Sequence, residues 1–154
     1  MLNLPEQTGA SINFSEMLIC CAIHGKARSV IGLVFLAIWA ISILIAMIFP
    51  IDPEGALPTT AGKIHKSNGP VAFLCLTLGV LLVSSRFKHD ENMRPLHPTA
   101  LILSLIMLFV FMSVGISFGI GLHLEGMLQR IYLTVLVTWF LLILWRLGKA
   151  ARKI

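Results

Sequence analysis

The sequence predicts an all-α fold, a polytopic membrane helical bundle with four transmembrane helices and both termini cytoplasmic. The composition is the first reason: 57% of residues are hydrophobic and 12% charged, with a mean hydropathy of +0.91. About a quarter of the residues of a soluble domain are charged. The second reason is the division of the chain into four apolar runs. Each approaches the roughly 20 residues that a helix needs to cross the ~30 Å hydrocarbon core. The third is the distribution of Lys and Arg, which fixes the threading.

The runs are apolar all round, without the alternation of a half-buried strand, and in hydrocarbon a helix satisfies its own backbone polar groups. The clearest run is Val30 to Phe49, which carries no charge. Pro70 to Ser85 is short for a crossing, so its helix is expected to begin upstream near Thr60 or Ala61. His65 then falls in its first turns, and Pro70 inside it should kink it. Thr99 to Leu122 is long enough to span with tilt. Ile131 to Leu147 forms the last run, and its short connection to the third implies antiparallel neighbours. The expected organisation is an N-terminal cytoplasmic or interfacial segment over 1–28 and a transmembrane domain over 29–154, with spans near 30–49, 61–85, 99–122 and 129–147.

Residues 1–28 lack the positive start, long apolar core and cleavage site of a signal peptide, so no removal is expected. Glu16 to Ile23 is too short to cross and is read as an interfacial helix or one packed on the bundle. Cys20, Cys21 and Cys75 have neither disulfide nor metal-site spacing.

Lys26, Arg28, Arg86, Lys88, Arg94, Arg146, Lys149, Arg152 and Lys153 all fall on one side of the predicted spans. Cytoplasmic loops accumulate positive charge, so that side is expected inside. The opposite side holds Lys63, Lys66 and Arg130 against Asp52, Glu54 and Glu125. The formal charge of +5 lies in juxtamembrane clusters with no basic face, which suits anionic lipid headgroups and argues against nucleic acid.

The polar stretch Pro50 to Asn68, set between two spans, is the densest group of ionisable residues near the membrane. On the outer face the expected cluster is Asp52, His65, Asn68, His123, Glu125 and Arg130, at the ends of four helices. Charges at such depth need partners. A paired, hydrogen-bonded network that fixes the loop on the bundle is therefore favoured over a catalytic pocket. Arg130, Thr134 and Thr138, at four-residue steps, form a stripe expected to face the bundle. Threonines in membrane helices more often bond back to their own helix. Gly115 and Gly119 have the spacing of a helix-packing motif.

Four stretches, FPIDPEG, PTTAGKIHKSNGPVAF, SSRFKHDENMRP and EGMLQRIYLTVLVTWFLLILWRL, occur in order from about Ala27 to the C-terminus. Together they resemble the domain-of-unknown-function 998 family of bacterial and archaeal membrane proteins. The resemblance implies an α-helical inner-membrane protein with an Asp and a His placed as Asp52 and His65, and a Gln-Arg pair placed as Gln129 and Arg130. It also implies about six spans, whereas this chain shows four. A short or N-terminally truncated member would leave helix faces for a homo-oligomer or a partner membrane subunit to cover.

The expected function is that of a non-enzymatic scaffold, subunit or lipid or small-molecule binder, because no complete catalytic constellation is present. One alternative is a lipid-active hydrolase with His65 as base and Asp52 orienting it. No catalytic residue is assigned, and no Ser nucleophile motif is present. A lesser alternative is a cytochrome with His65 and His123 as axial haem ligands. No cofactor and no metal are expected, since Asp52, His65 and His123 lack a recognisable zinc spacing.

Overall fold

In the computed structural model of the protein, residues 29–53, 55–122 and 124–151 are described. The interfacial helix expected over Glu16 to Ile23 lies outside them. Four helices are long and apolar enough to cross a membrane: α1 (Val30–Ile48), α2 (Thr60–Arg86), α3 (His97–Ile120) and α4 (Glu125–Ala151). No strand occurs among the described residues.

Each helix boundary has a local cause. Ser29 caps α1, its hydroxyl accepting from the Gly32 N–H at 3.1 Å, which satisfies one of the orphan donors at a helix start. Thr59 caps α2 in the same way through Gly62. Pro70 lies inside α2, where its ring removes the bond that would reach the Lys66 carbonyl. Gly121 closes α3 with φ +69°, a left-handed conformation that costs glycine nothing. The Ser117 hydroxyl then accepts from the Leu124 N–H at 3.2 Å, holding the short turn into α4.

Neighbouring helices run antiparallel, and α2 sits between α1 and α3. The core gathers Leu76 and Val80 of α2, Phe87, Met93 and Leu96 of the following loop, Ala100, Met107 and Val110 of α3, and Tyr132, Leu136 and Trp139 of α4. Only Gly32 and Ser42 of α1 are buried. The bundle is thus a three-helix core with α1 applied to the outer side of α2.

Two hydrogen bonds fix α4 against α2. Tyr132 Oη lies 2.8 Å from Thr77 Oγ1, and Trp139 Nε1 donates to Ser84 Oγ at 2.8 Å. Both hydroxyls also reach the Phe73 carbonyl, Thr77 at 2.7 Å and Tyr132 at 3.3 Å. Both pairs are 55 residues apart, which means that α2 and α4 run parallel and keep one register over a heptad. The Phe73 ring meets Tyr132 edge-on at 5.0 Å.

The loop after α2 is folded tightly. Asp90 Oδ1 accepts from the Asn92 and Met93 amides, and short 3-10 turns flank it at Phe87–His89 and Arg94–Leu96. Arg146 near the end of α4 donates to the Asn92 carbonyl at 2.7 Å. Lys149 lies over the Trp145 ring, 4.0 Å from its centroid.

Candidate functional site

The polar residues at the Asp52 end of the bundle are organised by the contact between α1 and α2. After the Phe49 C-cap the chain crosses from α1 to Thr59, the N-cap of α2. Asp52 Oδ1 accepts the Thr59 hydroxyl at 2.6 Å and Oδ2 accepts the Thr59 N–H at 3.1 Å. The Thr59 oxygen in turn accepts from the Gly62 N–H at 3.1 Å. These bonds to Thr59, side chain first and then backbone, hold the Asp52 carboxyl below the usual carboxylate range, and the nearby Lys66 charge adds to the effect. A carboxylate beside a helix N-terminus is also favoured by the helix dipole.

Gly62 is required for this arrangement. A Cβ at that position would run into the Asp52 carboxylate, so the absence of a side chain is what allows the loop to close over the start of α2.

One turn further along α2, His65 Nδ1 lies 2.8 Å from the Phe49 carbonyl. A carbonyl can only accept, so Nδ1 is the donor in this contact. The Phe49 carbonyl is among those that a helix end leaves without an intrahelical partner. Asn68 Nδ2 donates to the Ser42 carbonyl, in the apolar stretch of α1, at 2.7 Å. Asp52, His65 and Asn68 thus form a ladder of hydrogen bonds along one helix–helix seam.

Of the cluster expected from the sequence, these three residues come together. Glu125 and Arg130 stand apart on α4, and His123 lies outside the described residues. The fixed register of α2 and α4 sets Arg130 level with Cys75, ten residues from His65, or about 15 Å along the axis. Arg130 is exposed, and no ion pair forms among the described residues. The network here is built from hydrogen bonds alone. Asp52 and His65 do not bond to each other.

Two helix faces differ from the sequence-based expectation. Thr134 and Thr138 are exposed and donate to the Arg130 and Thr134 carbonyls at 2.9 and 2.8 Å. The face of α4 that turns inward carries Tyr132, Leu136 and Trp139. The apolar bulk of these residues is better buried than a stripe of threonines that can satisfy themselves. Gly115 and Gly119 are also exposed, with open space where a Cβ would stand, so they bring no helices together among the described residues. Close approach occurs instead at Gly32 and Gly79. A Cβ on Gly79 would lie 2.8 Å from Leu36 and 3.1 Å from the Gly32 carbonyl.

The residues missed by sequence reasoning are Gly62, Thr77, Ser84, Tyr132 and Trp139. The seven-residue interval shared by Thr77 with Ser84 and by Tyr132 with Trp139 was the available signal for the last four.

No group of three His, Cys, Asp or Glu side chains among the described residues is placed to hold a metal ion. Cys75 is buried and free. Two shallow hollows border the ladder. One, of about 320 Å³, is lined by Ile51, Asp52, Gly55, Pro58 and Lys66 among others. The other, of about 420 Å³, is lined by Ile45, Lys63, Ile64, Ser67 and Asn68.

Among known families, the one described as Protein of unknown function (DUF998) matches residues 10–146. No curated protein and no solved structure matches the chain. The match takes in all but the first 9 and last 8 of the 154 residues, and the chain belongs to the DUF998 family.

Proposed function

We propose that the chain is a non-enzymatic component of the cell membrane, a scaffold or subunit whose polar residues fasten α1 to the core. The observation that carries this reading is how the ladder spends its hydrogen bonds. Both Asp52 oxygens are taken up by Thr59, His65 Nδ1 by the Phe49 carbonyl, and Asn68 Nδ2 by the Ser42 carbonyl. A general base needs a group that orients it toward the proton it removes. Here no side chain among the described residues bonds to the imidazole, whose contact with the Phe49 carbonyl pairs the two helices.

In this reading the Asp52 end faces outward from the cell's inner membrane. The end carrying Arg86, Lys88, Arg94, Arg146 and Lys149 faces the cytoplasm with both termini, in keeping with the positive-inside rule. Exposed Val30, Val34, Ile41, Leu44 and Met47 on α1 suit contact with lipid, a second copy or a partner membrane subunit.

The test is His65→Ala in the native host. Lipid composition should stay unchanged while the thermal midpoint of the purified protein falls. Accumulation of one lipid species in the variant at wild-type protein levels would establish turnover and defeat the scaffold reading.

A further inference from the structure

The apolar belts of α1 and α4 are not level with each other. The 19 residues of α1 carry no charge and measure about 28 Å, close to the full hydrocarbon thickness. One end of α1 stands at His65, through the Phe49 carbonyl. The other stands near Leu82 and Val83, which a Cβ on Gly32 would meet at 3.1 Å. In α4 the uncharged run is Ile131 to Trp145, bounded by Arg130 and Arg146. The bonds of Tyr132 to Thr77 and of Trp139 to Ser84 set Arg130 level with Cys75 and carry Arg146 about two turns past the level of Ser84. The belt of α4 is therefore displaced in one direction at both ends, by about 15 Å at the Asp52 end and about 10 Å at the other.

Arg130 thus stands level with Trp39, halfway along α1, and it is exposed. A bilayer set square on α1 would place this guanidinium near its centre, where a charge is costly. A snorkelling side chain regains only part of that depth. The Arg130 side chain has no partner among the described residues, whereas Arg94 and Arg146, at the other end, each spend Nε on a loop carbonyl. The Thr134 and Thr138 hydroxyls below it donate to carbonyls of their own helix. Gly126 lies one turn before Arg130 on the same face, with nothing where a Cβ would stand, so the way from Arg130 toward the membrane surface is open. Trp145 is 55% exposed and marks the other limit of the belt, as an indole does at headgroup level.

We infer that Arg130 binds the phosphate of a phospholipid in the leaflet on the Asp52 side, and that the headgroup plane of this leaflet runs aslant the bundle axis, from Phe49 on α1 down to Arg130 on α4. The unpaired cation calls for an anion at that level, and phosphate is the anion that every phospholipid brings there. A guanidinium matches it through two parallel N–H bonds. The occupant is lipid because the belt is displaced at both ends. A slanted bilayer requires the shift at Trp145 as well as at Arg130, whereas a protein partner covering Arg130 alone would leave the far end in place. The inference does not depend on the non-enzymatic reading.

The experiment uses the full chain in vesicles of phosphatidylethanolamine and phosphatidylglycerol. Each sample carries one of two photoreactive phosphatidylethanolamines, with the reactive group on the headgroup or at the end of an acyl chain, and adducts are located by peptide mass spectrometry. The headgroup probe should label residues 126–131 as well as 48–52. The acyl-end probe should label 34–41 and leave 126–131 unmarked. Arg130→Leu should lower headgroup labelling of 126–131 about fivefold without changing that of 48–52, and Arg130→Lys should keep most of it. Added inorganic phosphate should not compete. Arg130 is exposed, so these replacements spare the fold, and an unaltered melting midpoint verifies this. Acyl-end adducts at 126–131, a headgroup yield indifferent to Arg130→Leu, competition by inorganic phosphate, or no lipid adduct on that face at all would each overturn the inference.

Discussion

Asn68 of α2 donates its side-chain amide to the main-chain carbonyl of Ser42 in α1 at 2.7 Å. That carbonyl already accepts the helical bond expected within α1, so the amide takes its second lone pair. A polar side chain in a membrane helix is thereby satisfied without an ionised partner. Interhelical bonds of this kind contribute about 0.6–2 kcal/mol. Asn68→Leu should loosen α1, lowering stability by about that amount. The measurement is hydrogen exchange over residues 41–49, which should accelerate while exchange in α4 does not.

The cap on α2 gives a second prediction. Gly62→Ala introduces a Cβ where the Asp52 carboxylate lies, and it should cost at least the ~1 kcal/mol of a lost N-cap. Asp52→Ala in the same background should recover part of the loss, because it removes the group that the new methyl displaces. A double-mutant cycle from thermal or denaturant unfolding reads the coupling.

Acid should weaken the same cap. The folded-state pKa of Asp52 is depressed below its ordinary value of 3.8, chiefly by the Thr59 hydroxyl and then by the Thr59 amide. A depressed carboxylate contributes stability that is complete above the unfolded pKa and is lost as the pH falls through the folded one. Unfolding midpoints should therefore drop below about pH 4 in wild type. Asp52→Asn should flatten that part of the profile by lowering the midpoint near neutrality toward its acid value.

Two glycine positions should respond oppositely to the same change. Gly79→Val places new atoms against Leu36 and the Gly32 carbonyl and should destabilise by about 1–3 kcal/mol through overpacking. Gly115→Val meets open space and should leave the monomer's stability within ~0.5 kcal/mol. If Gly115→Val instead lowers the apparent mass in native mass spectrometry, the exposed face of α3 carries a contact between copies.

The four spans were legible in the sequence because a long uncharged run near 20 residues has few other uses. The start of α2 at Thr60, upstream of the obvious apolar run, was also legible, since Pro70 to Ser85 alone could not span. The helix faces were not legible. Tyr132 and Trp139 looked like two more apolar residues among many, and nothing short of the interhelical register set them opposite Thr77 and Ser84. Thr134 and Thr138 looked polar enough to seek the interior, yet their hydroxyls need only the carbonyl one turn back. For the candidate site, the sequence singled out Asp52, His65 and Asn68 but expected Asp52 and His65 to join an ion-paired, hydrogen-bonded network with Arg130. Their partners are Thr59 and two backbone carbonyls, which no residue identity at positions 42 or 49 could have announced.

That use of backbone has a bearing on how the protein can vary. His65 and Asn68 address the main chain of α1 at positions 49 and 42, and every amino acid supplies a carbonyl there. The polar part of the grip on α1 is thus written in α2, while Leu36 and Trp39 pack on the core and the exposed α1 side chains are left free to drift with membrane thickness or with a changing partner. An α1 whose exposed face is redesigned, and which keeps its length, Gly32, Leu36 and Trp39, would still be accepted by the same core.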